Sequence, residues 1–135
     1  MKTQTEENHG LQQAKAQFES IKEMVENYRK AQESDDDNAQ DETRERIEED
    51  ALSVQVRSTW HTPGAEAEKG GEFEILLCWG GPACRIIGEL NEYNEPENAN
   101  LQYQDWGTPW TDHLLDSSEE DDILLDYCRV FYFGE

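Results

Sequence analysis

The sequence predicts an α+β domain of order ααββββα: an N-terminal helical hairpin, a four-stranded antiparallel β-meander and a C-terminal helix packed on the sheet. Three observations carry this. Apolar residues recur at helical spacing before Gln32. From Leu52 to Trp106 the period changes to two, in runs separated by Gly, Pro and Asn. After Ser117 the helical period returns.

Leu11, Ala14, Phe18, Ile21, Val25 and Tyr28 are spaced by 3, 4, 3, 4 and 3 residues, a heptad seam on a helix over roughly 5–32. Gln, Glu and Lys fill the opposite positions, so the helix has one adhesive face. That face requires a second helix, the sheet, or its own copy in a homodimer through Leu11, Phe18, Ile21, Val25 and Tyr28. The run from Glu33 to Asn38 ends this helix. Asp37 or Asn38 is then placed to cap a second helix reaching about Leu52, because a short side-chain oxygen accepts the free N–H groups of a first turn. Its apolar content is thin: Ala39, Ile47, Ala51 and Leu52. A soft boundary near Asp50 divides an acidic helical arm, 1–52, from an α+β core, 53–135, with the two expected to form one compact unit.

Val54 and Val56 alternate with Gln55 and Arg57 in a first strand that ends near Trp60. The second strand runs from Glu72 to Trp79, with Phe73, Ile75, Leu77 and Trp79 expected on the core side. Gly80-Gly81-Pro82 makes a tight connection, because Gly tolerates positive φ and Pro fixes φ negative. The third strand is Ala83 to Leu90, and after a polar loop, Asn91 to Asn98, the fourth is Ala99 to Trp106. Short loops favour sequential antiparallel pairing. Trp106 and Trp110 bracket a Gly107-Thr-Pro109 corner, expected to turn the last strand into the last helix. Ser117 or Ser118 caps that helix, and Ile123, Leu124, Tyr127, Cys128, Phe131 and Tyr132 form its apolar stripe.

Charge is the dominant compositional feature. Thirty-two acids stand against eleven Lys and Arg, a net charge of −21. Phosphate binding needs clustered bases, so this balance excludes simple nucleic-acid binding and disfavours anionic membranes. It favours a basic partner, a cation, or solubility alone. Four Trp, five Tyr and four Phe, concentrated after Val54, supply one small core. No long apolar run or N-terminal apolar segment marks a membrane span or a signal peptide, so the expected location is the cytoplasm. There Cys78, Cys84 and Cys128 act as small buried hydrophobes, although Cys78 and Cys84 flank one turn and fall near each other across a hairpin.

No catalytic motif stands out. Gly80-Gly81 lacks the spacing of a nucleotide-binding loop and the helix that should follow it. His61 and His113 sit beside turns with no nucleophile at a recognisable spacing. The cysteines match no zinc module, and Asp35-Asp36-Asp37 and Asp121-Asp122 lack the spacing of a calcium loop. No metal or cofactor is implied. Arg85 shares a sheet face with Glu72, Glu74 and Glu89, which predicts cross-strand charge pairing or a contact surface.

The stretches VQVRSTWHTPG (54–64), FEILLCWGGPACRIIGELNEY (73–93), LQYQDWGTPWTDH (101–113) and YCRVFYFGE (127–135) resemble a family of small acidic phage- and prophage-borne proteins. The resemblance covers about residues 52–135. It implies a phage accessory gene product and no catalytic residue, and it points toward host takeover or counter-defence.

Two acidic blocks are the strongest functional signal. One runs from Glu33 to Asp50, with ten acids against Arg44 and Arg46. The other runs from Asp116 to Asp126, with six acids and no base. Helical carboxylates can occupy a DNA-binding groove by electrostatic complementarity. The expected activity is therefore non-enzymatic inhibition of a basic, nucleic-acid-handling host protein, such as a nuclease or a CRISPR–Cas complex, by DNA mimicry. The expected contacts are Asp35, Asp36, Asp37, Asp41, Glu42, Glu45, Glu48 and Glu49, with Glu119, Glu120, Asp121 and Asp122. Two other readings compete: a ligand-binding or enzymatic cleft at Trp60, His61, Trp106, Trp110 and His113, and self-association through the heptad seam.

Overall fold

The heptad seam finds its partner inside the chain. In the computed structural model, which describes residues 9–58, 60–65, 70–79, 82–105, 109–115 and 117–133, the seam lies on helix α1 (His9–Glu33). Ala14, Phe18, Ile21 and Val25 are buried, and Leu11 and Tyr28 are half-buried. α1 packs on one face of an antiparallel sheet of order β1-β2-β3-β4-β5. The strands are β1 (Ser53–Arg57), β2 (Gly71–Cys78), β3 (Ala83–Leu90), β4 (Asn100–Gln104) and β5 (Thr111–Asp112). Helix α2 (Asp37–Asp50) and helix α3 (Ser118–Arg129) flank α1. A homodimer through the seam would have to open this core.

One hydrophobic cluster joins all three helices to the sheet: Phe18, Ile21 and Val25 from α1, Ile47 from α2, Phe73, Ile75, Ile86 and Leu101 from the strands, and Ile123, Leu124 and Tyr127 from α3. Burying each large aliphatic or aromatic side chain contributes roughly 1.5–3 kcal/mol. The arm and the core thus share one interior, and the compositional change near Asp50 does not interrupt it. Past α3, Phe133 is buried with its ring 4.9 Å from that of Phe73.

The α+β order holds, with differences that have physical causes. The cap of α2 is Asp36, one residue before the expected pair. Its Oδ1 accepts from the N–H groups of Asn38 (3.0 Å) and Ala39 (3.3 Å). The sheet has a fifth strand, the two-residue β5, between the corner and α3; Gln102 pairs with Asp112 and Tyr103 with Thr111. Two residues are too few for a period to be visible in sequence. Trp79 is not a core residue: it is 67% exposed. The register shifts between Leu76 and Cys78, and the strand ends at Cys78, so alternation no longer dictates where the next side chain points. α3 stops at Arg129, and Tyr132, beyond it, is exposed. Trp106, Gly107 and Thr108 lie outside the described residues.

Two glycines permit close backbone approach. Gly71 has φ 117°, and a Cβ there would stand 2.1 Å from the Arg57 carbonyl oxygen on β1. A Cβ on Gly88 would stand 2.1 Å from the Asn98 carbonyl oxygen and against the Phe73 ring.

Candidate functional site

Helix α2 is an acidic surface with a single anchor. Ile47 is its one buried residue. At about 100° per residue, the side opposite Ile47 carries Asp37, Asp41, Glu42, Glu45, Glu48 and Glu49 within an arc of roughly 140°. All six are exposed, as are Asp35 and Asp36 in the turn before the helix. Arg44 and Arg46 stand at the two margins of the arc. Arg44 pairs with Asp41 at 3.0 Å and Arg46 with Glu23 of α1 at 3.5 Å. Seven acids in these 14 residues, over roughly 21 Å of axis, give one carboxylate per about 3 Å, close to the ~3.4 Å per phosphate along one DNA strand.

At the C-terminal end of α2 the placement of these charges runs against local stability. A helix C-terminus carries partial negative charge, so cations are favoured there. The last turn of α2 holds Glu48, Glu49 and Asp50 and no base. Asp50 has an internal role, because the Tyr127 hydroxyl donates to its Oδ2 at 2.8 Å. Burial pushes the Tyr127 hydroxyl well above its ordinary pKa, and the Asp50 carboxylate adds to the rise. Glu48 and Glu49 point to solvent.

The second block has a different setting. Glu119, Glu120 and Asp121 lie in the first turn of α3, where the helix dipole favours them. Ser117 Oγ accepts the Glu120 N–H at 3.2 Å and caps the helix. Glu119, Asp121 and Asp122 are exposed and Glu120 is half-buried. Helix capping and the helix dipole are enough to account for acids at these positions. At the other end of α3, Asp126 pairs with Arg29 of α1 at 2.6 Å, which ties the two helices together.

The sheet face turned away from the helices carries a different polar array. The Arg85 guanidinium donates to Glu74 Oε2 (2.7 Å) and Gln102 Oε1 (2.9 Å) and lies 4.2 Å from the centre of the Trp110 ring. Gln102 in turn donates to Asp112 at 2.8 Å. Arg57 pairs with Glu72, and Asn98 donates to Glu89 at 3.0 Å. An open groove of about 520 Å³ crosses this face. Its three carboxylates each have a partner within the chain, which matches the cross-strand pairing expected for Arg85 and gives the groove a structural explanation. Sequence reasoning did not foresee that Trp110 would stack on Arg85, because the pairing depends on β5.

Among the described residues the tryptophan cleft is not assembled. Trp60 and His61 follow β1 at the sheet end marked by Glu72 and Glu89, and both are exposed. Trp110 and His113 border β5 at the opposite edge of the sheet, and Trp106 lies outside the described residues. Cys78 and Cys84 are direct cross-strand partners with free thiols, and Cys84 and Cys128 are buried. Burial raises both buried thiols above the ordinary range. Among the described residues no three His, Cys, Asp or Glu side chains converge as metal ligands, and no helix is long and apolar enough to cross a membrane. Comparison of the chain with protein-family models, curated proteins and solved structures found no match.

Proposed function

We propose that this chain is a non-enzymatic acidic protein that binds and inhibits a basic, nucleic-acid-handling protein by presenting carboxylates in place of phosphates. The observation that supports this reading is the outer face of α2. Its acids are exposed, spaced along the axis like the phosphates of one strand, and continue into the last turn, where the helix dipole disfavours Glu48 and Glu49. A local rule broken without a compensating internal contact marks a functional position more often than a structural one. Asp41, Glu42, Glu45, Glu48 and Glu49 form the centre of the proposed contact. Asp35, Asp36 and Asp37 extend it at the N-terminal end, and Glu119, Glu120, Asp121 and Asp122 contribute long-range attraction.

In the phage setting implied by the resemblance, the partner is a host defence component in the cytosol, such as a nuclease or a CRISPR–Cas complex. The test is capture from bacterial lysate, with duplex DNA as competitor and salt as the variable. The reading predicts that the retained protein is a DNA- or RNA-binding one, that DNA displaces it, and that raising the salt releases it. Retention that survives both DNA and high salt contradicts mimicry.

A further inference from the structure

Two strands form the edges of the sheet, and they differ. β5 is two residues long and carries Asp112, the kind of short, charged edge that resists pairing. β1 has five residues paired to β2 in unbroken register, with no Pro and no bulge. Among the described residues no strand pairs with its other side. Its Val54 and Val56 are exposed, the latter by 55%, although they share the sheet face of Ile75 and Phe73. Leu52 and Trp60, just outside the strand, are exposed as well. Half of the eight large apolar side chains exposed among the described residues therefore fall within nine residues along one edge. An edge of this kind is a template for pairing with another strand.

Charge and sequence identify the occupant. Residues 51–65 are the longest acid-free stretch of a chain with net charge −21. A basic partner finds no complement there, whereas two copies of this chain meet with least repulsion there. The strand Ser53-Val-Gln-Val-Arg57 is also nearly self-complementary about Gln55. Antiparallel pairing on a two-fold axis through Gln55 sets Val54 against Val56 of the other copy on one face. On the other face it sets Arg57 against Ser53 and Gln55 against its own copy. No like charges oppose each other. The apolar pairs stabilise the ladder, and a two-fold contact closes at two chains.

We propose that β1 is the docking edge for a second copy of this chain, giving a dimer with a continuous sheet across the two-fold axis. This goes beyond the proposed function and does not depend on it. The two contacts respond to salt in opposite directions. Binding of α2 to a basic partner weakens as salt screens attraction. Dimerisation strengthens, because salt screens the repulsion between two strongly acidic chains.

The test is sedimentation equilibrium of the full chain over a concentration series, at about 20 mM and about 300 mM salt, where the screening length falls several-fold. The expected result is a monomer–dimer equilibrium that shifts toward dimer at the higher salt, with Val56→Lys monomeric and unchanged in circular dichroism. Because that variant changes a half-covered position, amide exchange of the native chain provides a second reading. Exchange within 53–57 should slow as concentration rises, while that of β5 does not. A monomer at every concentration and salt overturns the proposal. So does a Val56→Lys dimer, or a native dimer whose β1 amides exchange at the monomer rate.

Discussion

The two acidic blocks of this chain are alike in composition and opposite in physical setting. In α3 the acids occupy the first turn, beside a serine cap, where the helix dipole stabilises them. In α2 they continue through the last turn, where the dipole opposes them and no base relieves them. Among the acids of α2 and its cap, Asp36 caps the helix, Asp41 pairs with Arg44 and Asp50 accepts from Tyr127, whereas Glu48 and Glu49 in the last turn are exposed. An acidic run in sequence is thus ambiguous between a helix start and a displayed surface. The position of each charge along its helix separates the two.

The largest expected effect concerns what holds the α2 surface in place. Ile47 is fully buried and is the only buried residue of that helix. Ile47→Ala should cost about 2–5 kcal/mol, the range for truncating a buried aliphatic side chain. Chemical denaturation will measure it, and amide exchange should show α2 loosening before the sheet. A loss below 1 kcal/mol would mean that α2 is held by its ion pairs and not by the core.

A smaller effect is expected at the contact between the two acidic helices. Tyr127→Phe removes the hydrogen bond to Asp50 and should cost about 1 kcal/mol. The pH dependence follows from the direction of the shifts. The folded-state pKa values of Tyr127, Cys84 and Cys128 lie above their unfolded values. Their contribution is therefore complete below the unfolded values and declines as pH rises past them, from about 8.5 for the thiols and about 10 for the tyrosine. Melting temperature should fall across that window, and Tyr127→Phe should flatten its upper part. A flat profile to pH 11 would contradict the burial assigned to these groups.

The smallest effects have opposite signs and address the comparison itself. Neutralising α2 with Glu48→Gln or Glu49→Gln should stabilise the protein by a few tenths of a kcal/mol, whereas Glu119→Gln in α3 should destabilise it by a similar amount. Thermal melts of the three variants at low salt resolve the signs. The same sign in both helices would remove the distinction between the blocks.

Much of the fold was legible in the sequence. The seam from Leu11 to Tyr28, the third strand and the Ser117 cap follow from period and capping chemistry acting locally. What was not legible depends on tertiary register. Trp79 continues the alternation of Phe73, Ile75 and Leu77, but the strand shifts and ends before it. β5 is too short to show a period and exists because β4 offers it an edge. The Arg85–Trp110 stack depends in turn on β5. At the candidate site the acids were visible as composition. Their division into stabilising and destabilising positions required helix boundaries, and Asp50 required knowing where the Tyr127 hydroxyl points.

The central claim is that the outer face of α2 stands in for nucleic-acid phosphates. The most direct measurement pairs the native chain with Asp41→Lys/Glu45→Lys/Glu48→Lys, whose fold is checked by circular dichroism. Each is titrated into the captured partner bound to labelled duplex DNA, at low and at high salt. The native chain should displace the DNA at low salt and lose most of its potency at high salt, and the triple variant should displace none at either. Equal displacement by the two proteins would contradict the claim.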